Sequence, residues 1–293
     1  MTGTWLEAAI NGPWGRERQP ESPITIEECI EEGVACAEAG AAIVHVHAFD
    51  PEADEQDDDP DVYAEIIEGI QKQVDAIVYP TIPAPTFSGE EMSPADRFAH
   101  SDELGNRGLL EWVQNDPGSI NMTQFDAVAQ GDEGQVYKNS EPMIKKGLEI
   151  AARYNCSPAY AIFDPSFVRL GSALADRYPG INPPIYRFMF SDSFIFGYPP
   201  EPYALESYIQ LLEEEAPDSF WMVEGLDSDS TQLVSEVVDR GGHLRVGLED
   251  APLGTSRTNV EWVELACEKI EEAGGKLATP EEVRTAISEK ATE

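Results

Sequence analysis

Two histidines one residue apart, His45-Val46-His47, are the sharpest concentration of chemistry in the chain. They end an apolar run, Ala41 to His47, that reads as a strand, and residues two apart on a strand point the same way. Two ring nitrogens at that spacing can share one metal ion. A carboxylate would complete a site of two histidines and one acid, with a position left open for substrate. The same pair could instead be two structural histidines, each satisfied by a core hydrogen bond. The chain has four histidines in all, and two of them occupy this spot, which favours the ligand reading. Glu249 is the candidate third ligand. It ends a second run, His243 to Glu249, in which Leu244, Val246 and Leu248 share one face while His243, Arg245, Gly247 and Glu249 share the other. A buried Arg245 needs an anionic partner, and Asp250, Glu7 or a substrate carboxylate would serve.

These residues need a scaffold that brings distant strand ends together. Short apolar runs alternate with longer amphipathic ones along the chain. Strands are expected at Trp5 to Ile10, Ala41 to His47, Asp75 to Thr81, Ser119 to Met122, Ala159 to Phe163, Ile185 to Ser191, Phe220 to Gly225 and His243 to Glu249. Helices are expected at Thr25 to Ala39, Val62 to Val74, Arg107 to Val113, Glu141 to Tyr154, Pro165 to Ala175, Tyr203 to Glu214, Ser230 to Arg240 and Val260 to Ala273. The first of these opens on a capping box, Thr25-Ile26-Glu27-Glu28. Eight strand-then-helix units predict a parallel sheet closed into a (β/α)8 TIM barrel. With no linker or composition shift to divide it, residues 1–293 read as one barrel domain. In that barrel strand two and strand eight flank strand one. The strand ends carrying His45, His47 and Glu249 then meet at the C-terminal mouth, where barrel active sites lie. The acidic stretch from Glu52 to Asp61 lacks a calcium-loop frame and reads as solvated surface.

Composition limits the partners. Asp and Glu number 56 against 19 Lys and Arg, a net charge of −37. Phosphate backbones and anionic membrane surfaces need a basic face, so nucleic acid and membranes are excluded. The acids are spread along the chain, which suggests adaptation to high salt, as in a halophile, where screening moderates self-repulsion. Four cysteines without a C-x-x-C show neither a disulfide framework nor a thiolate zinc site, and Cys29 and Cys36, seven apart on an expected helix, read as core residues. The N-terminal residues show no signal peptide and no run is long enough for a membrane span, so a cytoplasmic protein is expected.

Gly40-Ala41-Ala42-Ile43-Val44-His45-Val46-His47, followed by Asp50-Pro51, resembles the second-strand motif of the β-keto acid cleavage enzymes, the family that includes 3-keto-5-aminohexanoate cleavage enzyme. The run Gly241-Gly242-His243-Leu244-Arg245-Val246-Gly247-Leu248-Glu249-Asp250 resembles its GGHxRVGLED signature. Asn11-Gly12, Gly118 to Asn121, Trp221 and Ala278 to Arg284 fit as well, so the resemblance spans nearly the whole chain. It implies one zinc ion per chain, or another divalent metal, held by His45, His47 and Glu249. It further implies Arg245 and Asp250 as the catalytic polar pair, and substrate contacts from Asn11, Trp14, Thr81, Ser119 and Asn121. The reaction implied is an exchange in which a β-keto acid and acetyl-CoA give acetoacetate and a new acyl-CoA, in a homo-oligomer, tetramer or dimer.

The chain departs from that family on the substrate side. Strand three carries Pro80-Thr81-Ile82-Pro83 where the family has a Ser/Thr-Thr-Gly-Gly turn, and strand five has alanines in Pro158-Ala159-Tyr160-Ala161 where the family has acids. Trp14 stands where the aminohexanoate enzyme has a Glu. Carboxylates are lost and bulk is gained, which favours a neutral or apolar keto acid over one with an ammonium group. Two rival readings share these residues: a metal-dependent lyase or aldolase that uses no CoA, and a degenerate barrel that binds a metabolite without turnover.

Overall fold

A computed structural model describes residues 3–83, 92–178 and 180–292. Its eight parallel strands are β1 (Leu6–Ala9), β2 (Ile43–Val46), β3 (Ile77–Pro80), β4 (Trp112–Gln114), β5 (Ser157–Ile162), β6 (Ile185–Phe190), β7 (Phe220–Gly225) and β8 (His243–Val246). They pair in the order β3-β2-β1-β8-β7-β6-β5-β4. The two outer strands, β3 and β4, also lie against each other, so the sheet curls into a nearly closed barrel. Each strand is followed by a helix: α1 (Ile26–Ala39), α2 (Pro60–Gln71), α3 (Ala99–Asn106), α4 (Glu141–Tyr154), α5 (Pro165–Ala175), α6 (Pro202–Glu215), α7 (Val234–Arg240) and α8 (Asn259–Glu272). No helix among the described residues is long and apolar enough to cross a membrane.

Strand parity divides the core in two. Leu6, Ala8, Val44, Val46, Leu244 and Val246 pack outward against the helices. Ile43, Ile77, Trp112, Ala159, Ile185 and Met222 fill the lower barrel around Trp5. The C-terminal helix, α9 (Pro280–Lys290), plugs this lower end with Val283 and Ile287. Its start is fixed by Pro280 and a capping box between Thr279 and Glu282. The capping box expected at Thr25 and Glu28 is present on α1.

The structure corrects two expectations. The fourth barrel strand is Trp112–Gln114, not Ser119 to Met122, and the helix expected at Arg107 to Val113 does not form. Gly108, at φ +74°, lies outside right-handed helical space and ends the turn after α3, leaving Trp112 and Val113 to enter the sheet. Residues Ile120–Met122 alternate like a strand because they are one, paired antiparallel with Gln135–Tyr137 in a ribbon outside the barrel.

Candidate metal centre and substrate cavity

Parallel pairing brings the metal-ligand candidates together. On either side of β1, Ala9 pairs with His45 and Glu7 pairs with Arg245. Gly247 then lets β8 turn inward. Its φ is +133°, and a Cβ there would lie 2.2 Å from the Ala9 carbonyl oxygen, so no larger residue fits. The turn allows Glu249 N to donate to Ala9 O at 3.2 Å, which locks the acid beside β1. Glu249 Oε2 lies 3.5 Å from His45 Nε2, and Oε1 lies 3.4 Å from His47 Nε2. One ligand atom from each of the three residues falls within 4.8 Å of the others.

The donors are prepared for a cation. His47 Nδ1 is 2.9 Å from Gln56 Oε1, and Gln56 Nε2 donates to Asp58 Oδ1 at 2.8 Å. Asp58 therefore orients the amide so that its oxygen accepts a proton carried at Nδ1, which leaves Nε2 turned toward Glu249. That Nε2 and Glu249 Oε2 are buried with no hydrogen-bond partner. Burial holds His45 well below the usual imidazole range despite Glu249 beside it. Against the upward push of burial, Arg245 and the two imidazoles hold Glu249 well below the usual carboxylate range. Two imidazoles and a carboxylate make a donor set that suits a divalent metal.

Behind the ligands lies an ion network. Arg245 donates to Asp250 at 2.7 Å and 3.1 Å, and it pairs with Glu249 at 2.9 Å, Glu7 at 3.4 Å and Glu224 at 3.5 Å. Arg187 pairs with Glu224 at 3.2 Å and donates to Tyr79 Oη at 2.9 Å, and the tyrosine donates in turn to Glu7 at 2.6 Å. Burial pushes Glu224 up to about 8 even with both arginines beside it. Burial likewise raises Asp250 to about 6 against the pull of Arg245. Glu7, Glu224, Glu249 and Asp250 thus gather around two guanidiniums, and Glu249 is the one among them that also faces both imidazoles.

A cavity of about 340 Å³ opens above these groups. His45, His47, Glu249, Arg245, Arg187 and Glu224 form its polar side, while Ile82, Met122, Ala161, Phe163, Met189, Phe194 and Leu226 give it an apolar wall. Asp116 also lines it, but its oxygens are taken by Gln114 at 2.6 Å and by Tyr137.

A family profile for beta-keto acid cleavage enzymes matches residues 4–288. The chain belongs to the β-keto acid cleavage enzyme family. It is 26% identical over 289 residues to a 3-oxoadipate:acetyl-CoA acetyltransferase of Cupriavidus necator, covering 96% of this chain and 93% of that protein. It is 27% identical over 281 residues to a 3-keto-5-aminohexanoate cleavage enzyme of Fusobacterium nucleatum, covering 94% and 93%. Among solved structures, the apo structure of ObcA superposes with a TM-score of 0.71 at 19% identity, over 92% of this chain and 66% of that longer one. That likeness concerns the barrel alone.

Within this family member the structure separates the site residues expected from sequence. His45, His47, Glu249, Arg245, Trp14 and Thr81 share the cavity wall. Asp250 is buried beside the wall and fully engaged by Arg245 and by Gly225 N at 3.2 Å. Asn11 is not on the wall. Its amide brackets His47, donating to His47 O at 2.8 Å and accepting from His47 N at 2.9 Å, so it positions a ligand candidate. Ser119 and Asn121 are not brought to the cavity either: Ser119 Oγ braces Asn139, accepting from its N at 2.8 Å, and Asn121 is exposed on the ribbon. Four contributors were missed. Gln56 and Asp58 lie in the acidic stretch read as solvated surface, and nothing in their types marks them. Arg187 and Glu224 were legible as single charges inside apolar strands, at inward parity with Ile185 and Met222.

Proposed function

We propose that this family member exchanges acyl groups between a β-keto acid and acetyl-CoA. A bond forms between C2 and the acetyl carbonyl carbon as the C–S bond of acetyl-CoA breaks, the C2–C3 bond of the keto acid breaks, and the released acyl group leaves on the freed CoA sulfur. The products are acetoacetate and a new acyl-CoA. The observation that carries this reading is the convergence of His45, His47 and Glu249 on one side of the same cavity that Arg245 enters from below. His45, His47 and Glu249 would hold one zinc ion, since two imidazoles, one carboxylate and an open side suit that metal. When bound, it supplies Lewis-acid stabilisation of negative charge on the keto oxygen.

The chain's own residues have distinct parts. On this reading Asp250, beside the wall with its oxygens on Arg245 and Gly225 N, turns one oxygen from Arg245 into the cavity to take the acidic C2 proton. Arg245 stays charged and keeps that carboxylate oriented while the proton moves. Trp14 and Thr81 border the substrate, and the wall of Met122, Ala161, Phe163, Met189, Phe194 and Leu226 excludes water and favours an apolar keto acid chain over an ammonium-bearing one. The enzyme works as a homo-oligomer in the cytoplasm of a salt-adapted cell.

The test is a panel of β-keto acids incubated with acetyl-CoA and zinc-loaded protein in high KCl, with acetoacetate and acyl-CoA measured by mass spectrometry. CoA-independent cleavage would replace the exchange reading with a lyase. Metal binding with no turnover of any keto acid would leave a binding barrel.

A further inference from the structure

Three arginines line the cavity, and they are not equivalent. Arg245 and Arg187 are buried and held by acids. Arg18 stands exposed at the rim and, among the described residues, makes no ion pair with a carboxylate. Arg16, Arg153, Arg169 and Arg240 each hold an acid, while exposed Arg177 and Arg257 share with Arg18 the lack of an ion pair among the described residues. What sets Arg18 apart is its place on the cavity wall.

Arg18 is also held in place. Its guanidinium carbon lies 5.5 Å from the centroid of the Trp14 ring, and Trp14 Nε1 donates to Glu249 O at 3.0 Å. The cation therefore rides on a ring tied to the backbone of a metal-ligand candidate. Its main chain is fixed too. Gly254 N donates to Arg18 O at 3.0 Å, and the neighbouring buried Gln19 donates to Leu248 O at 2.8 Å. The segment after β1 is thus stapled to the segment after β8. Stacking engages the face of a guanidinium and leaves its edge N–H groups free, and that edge matches a carboxylate or a phosphate.

We propose that Arg18 is an anion receptor at the cavity mouth. It takes an anionic oxygen group that projects outward while the reacting carbonyls lie near His45, His47 and Glu249. The proposal rests on the exchange reading for its ligands, and either reactant can supply the group: the phosphates of the CoA thioester, or a second carboxylate at the far end of the keto acid.

The experiment compares zinc-loaded wild type with Arg18→Gln at the lowest KCl at which far-UV spectra show both proteins fully folded. Two probes are titrated by calorimetry: adenosine 3′-phosphate 5′-diphosphate, which is the CoA head without its thiol arm, and glutarate. Kinetics then set acetyl-CoA against acetyl-pantetheine, and keto dicarboxylates against keto monocarboxylates. One probe should bind about tenfold more weakly to Arg18→Gln, as for loss of a charge-assisted hydrogen bond at a partly solvated site. KM should rise only for the reactant carrying that group, and added KCl should shrink the wild-type advantage. Phosphate loss and carboxylate loss identify the two sources. Equal binding of both probes by the two proteins, or no binding of either by wild type, would overturn the proposal. So would an equal rise in KM for acetyl-CoA and acetyl-pantetheine with the keto acids unaffected. Probe binding that depends on Arg18 in a protein without exchange activity would sink the exchange reading and leave the anion site standing.

Discussion

Replacing Gln56 with Leu should weaken metal binding without touching a ligand. Gln56 is held opposite Phe49 in a two-residue ribbon, with its oxygen 2.9 Å from His47 Nδ1 and its amide nitrogen 2.8 Å from Asp58. Leucine has similar bulk and can do neither job. The His47 ring is then no longer held in the tautomer that presents a lone pair at Nε2, and one orienting hydrogen bond of about 1 kcal/mol is lost. Together these should lower affinity by roughly 10- to 100-fold, or about 1.4–2.8 kcal/mol, the range for partners that orient a ligand from behind. Stability should follow by linkage. Metal at about 100 times its wild-type Kd stabilises the fold by about 2.7 kcal/mol, which becomes about 1.4 at tenfold weaker binding and about 0.4 at a hundredfold. At roughly 2 °C per kcal/mol, the metal-induced rise in Tm falls from about 5 °C to about 1–3 °C. Competition with a chromophoric zinc chelator gives Kd, and thermal scans with and without zinc give the rise. A Gln56→Leu protein that binds zinc within a factor of about two of wild type would refute the reasoning. It would mean that this chain of bonds does not set the proton position on His47.

His47→Ala should lose metal and exchange activity together with an unchanged far-UV spectrum, and an active metal-free variant would overturn the mechanism. Asp250→Asn should still bind zinc but lose turnover by about 10²–10⁴-fold, with a stability cost of about 1–3 kcal/mol for the weakened hydrogen bonds, since Glu7, Glu224 and Glu249 still face Arg245; full activity would remove Asp250 as the base. Burial pushes His243 down to about 3, where its Nδ1 accepts from Trp5 N at 3.1 Å and the ring stacks on Trp5 at 4.0 Å. The unfolded chain protonates this histidine below about pH 6.5, so its contribution is intact above that pH and is lost toward pH 3, at up to about 1.4 kcal/mol per pH unit. Urea unfolding of His243→Gln between pH 6 and 4 should show that much less slope, and an identical slope would contradict it. The net charge of −37 predicts a Tm that climbs steeply with KCl, and a flat response would end the salt-adaptation reading.

Much of the barrel was legible because strand parity is a strong constraint. Leu244, Val246 and Leu248 lie in the outer core while Arg245 points inward, as their alternation requires. The fourth strand was misplaced because only Trp112–Gln114 pairs in the barrel, three residues that also fit a helical turn. The nearby Ile120–Met122 has the same alternation but belongs to a ribbon. Local pattern reports that a segment is extended; it does not report which sheet receives it.

The site divides along the same line. His45, His47, Glu249 and Arg245 were readable because parity fixes which way each points and barrel order fixes that β2 and β8 flank β1. What parity cannot give is the partner across the barrel. Arg245 could have held Asp250, Glu7 or a substrate carboxylate. The structure has it holding the first two, together with Glu249 and Glu224, so every side of its fork is committed. A substrate carboxylate must then find its cation elsewhere. Arg187 is engaged by Glu224, Tyr79 and Gln114. The cations left to an incoming anion are a metal at His45, His47 and Glu249, and Arg18 at the rim. In a chain this acidic, recognition of an anionic substrate therefore depends on very few positive groups. Losing the metal should thus abolish keto acid binding as well as chemistry, and calorimetry of a keto acid against chelator-treated protein separates that expectation from a metal that serves chemistry alone.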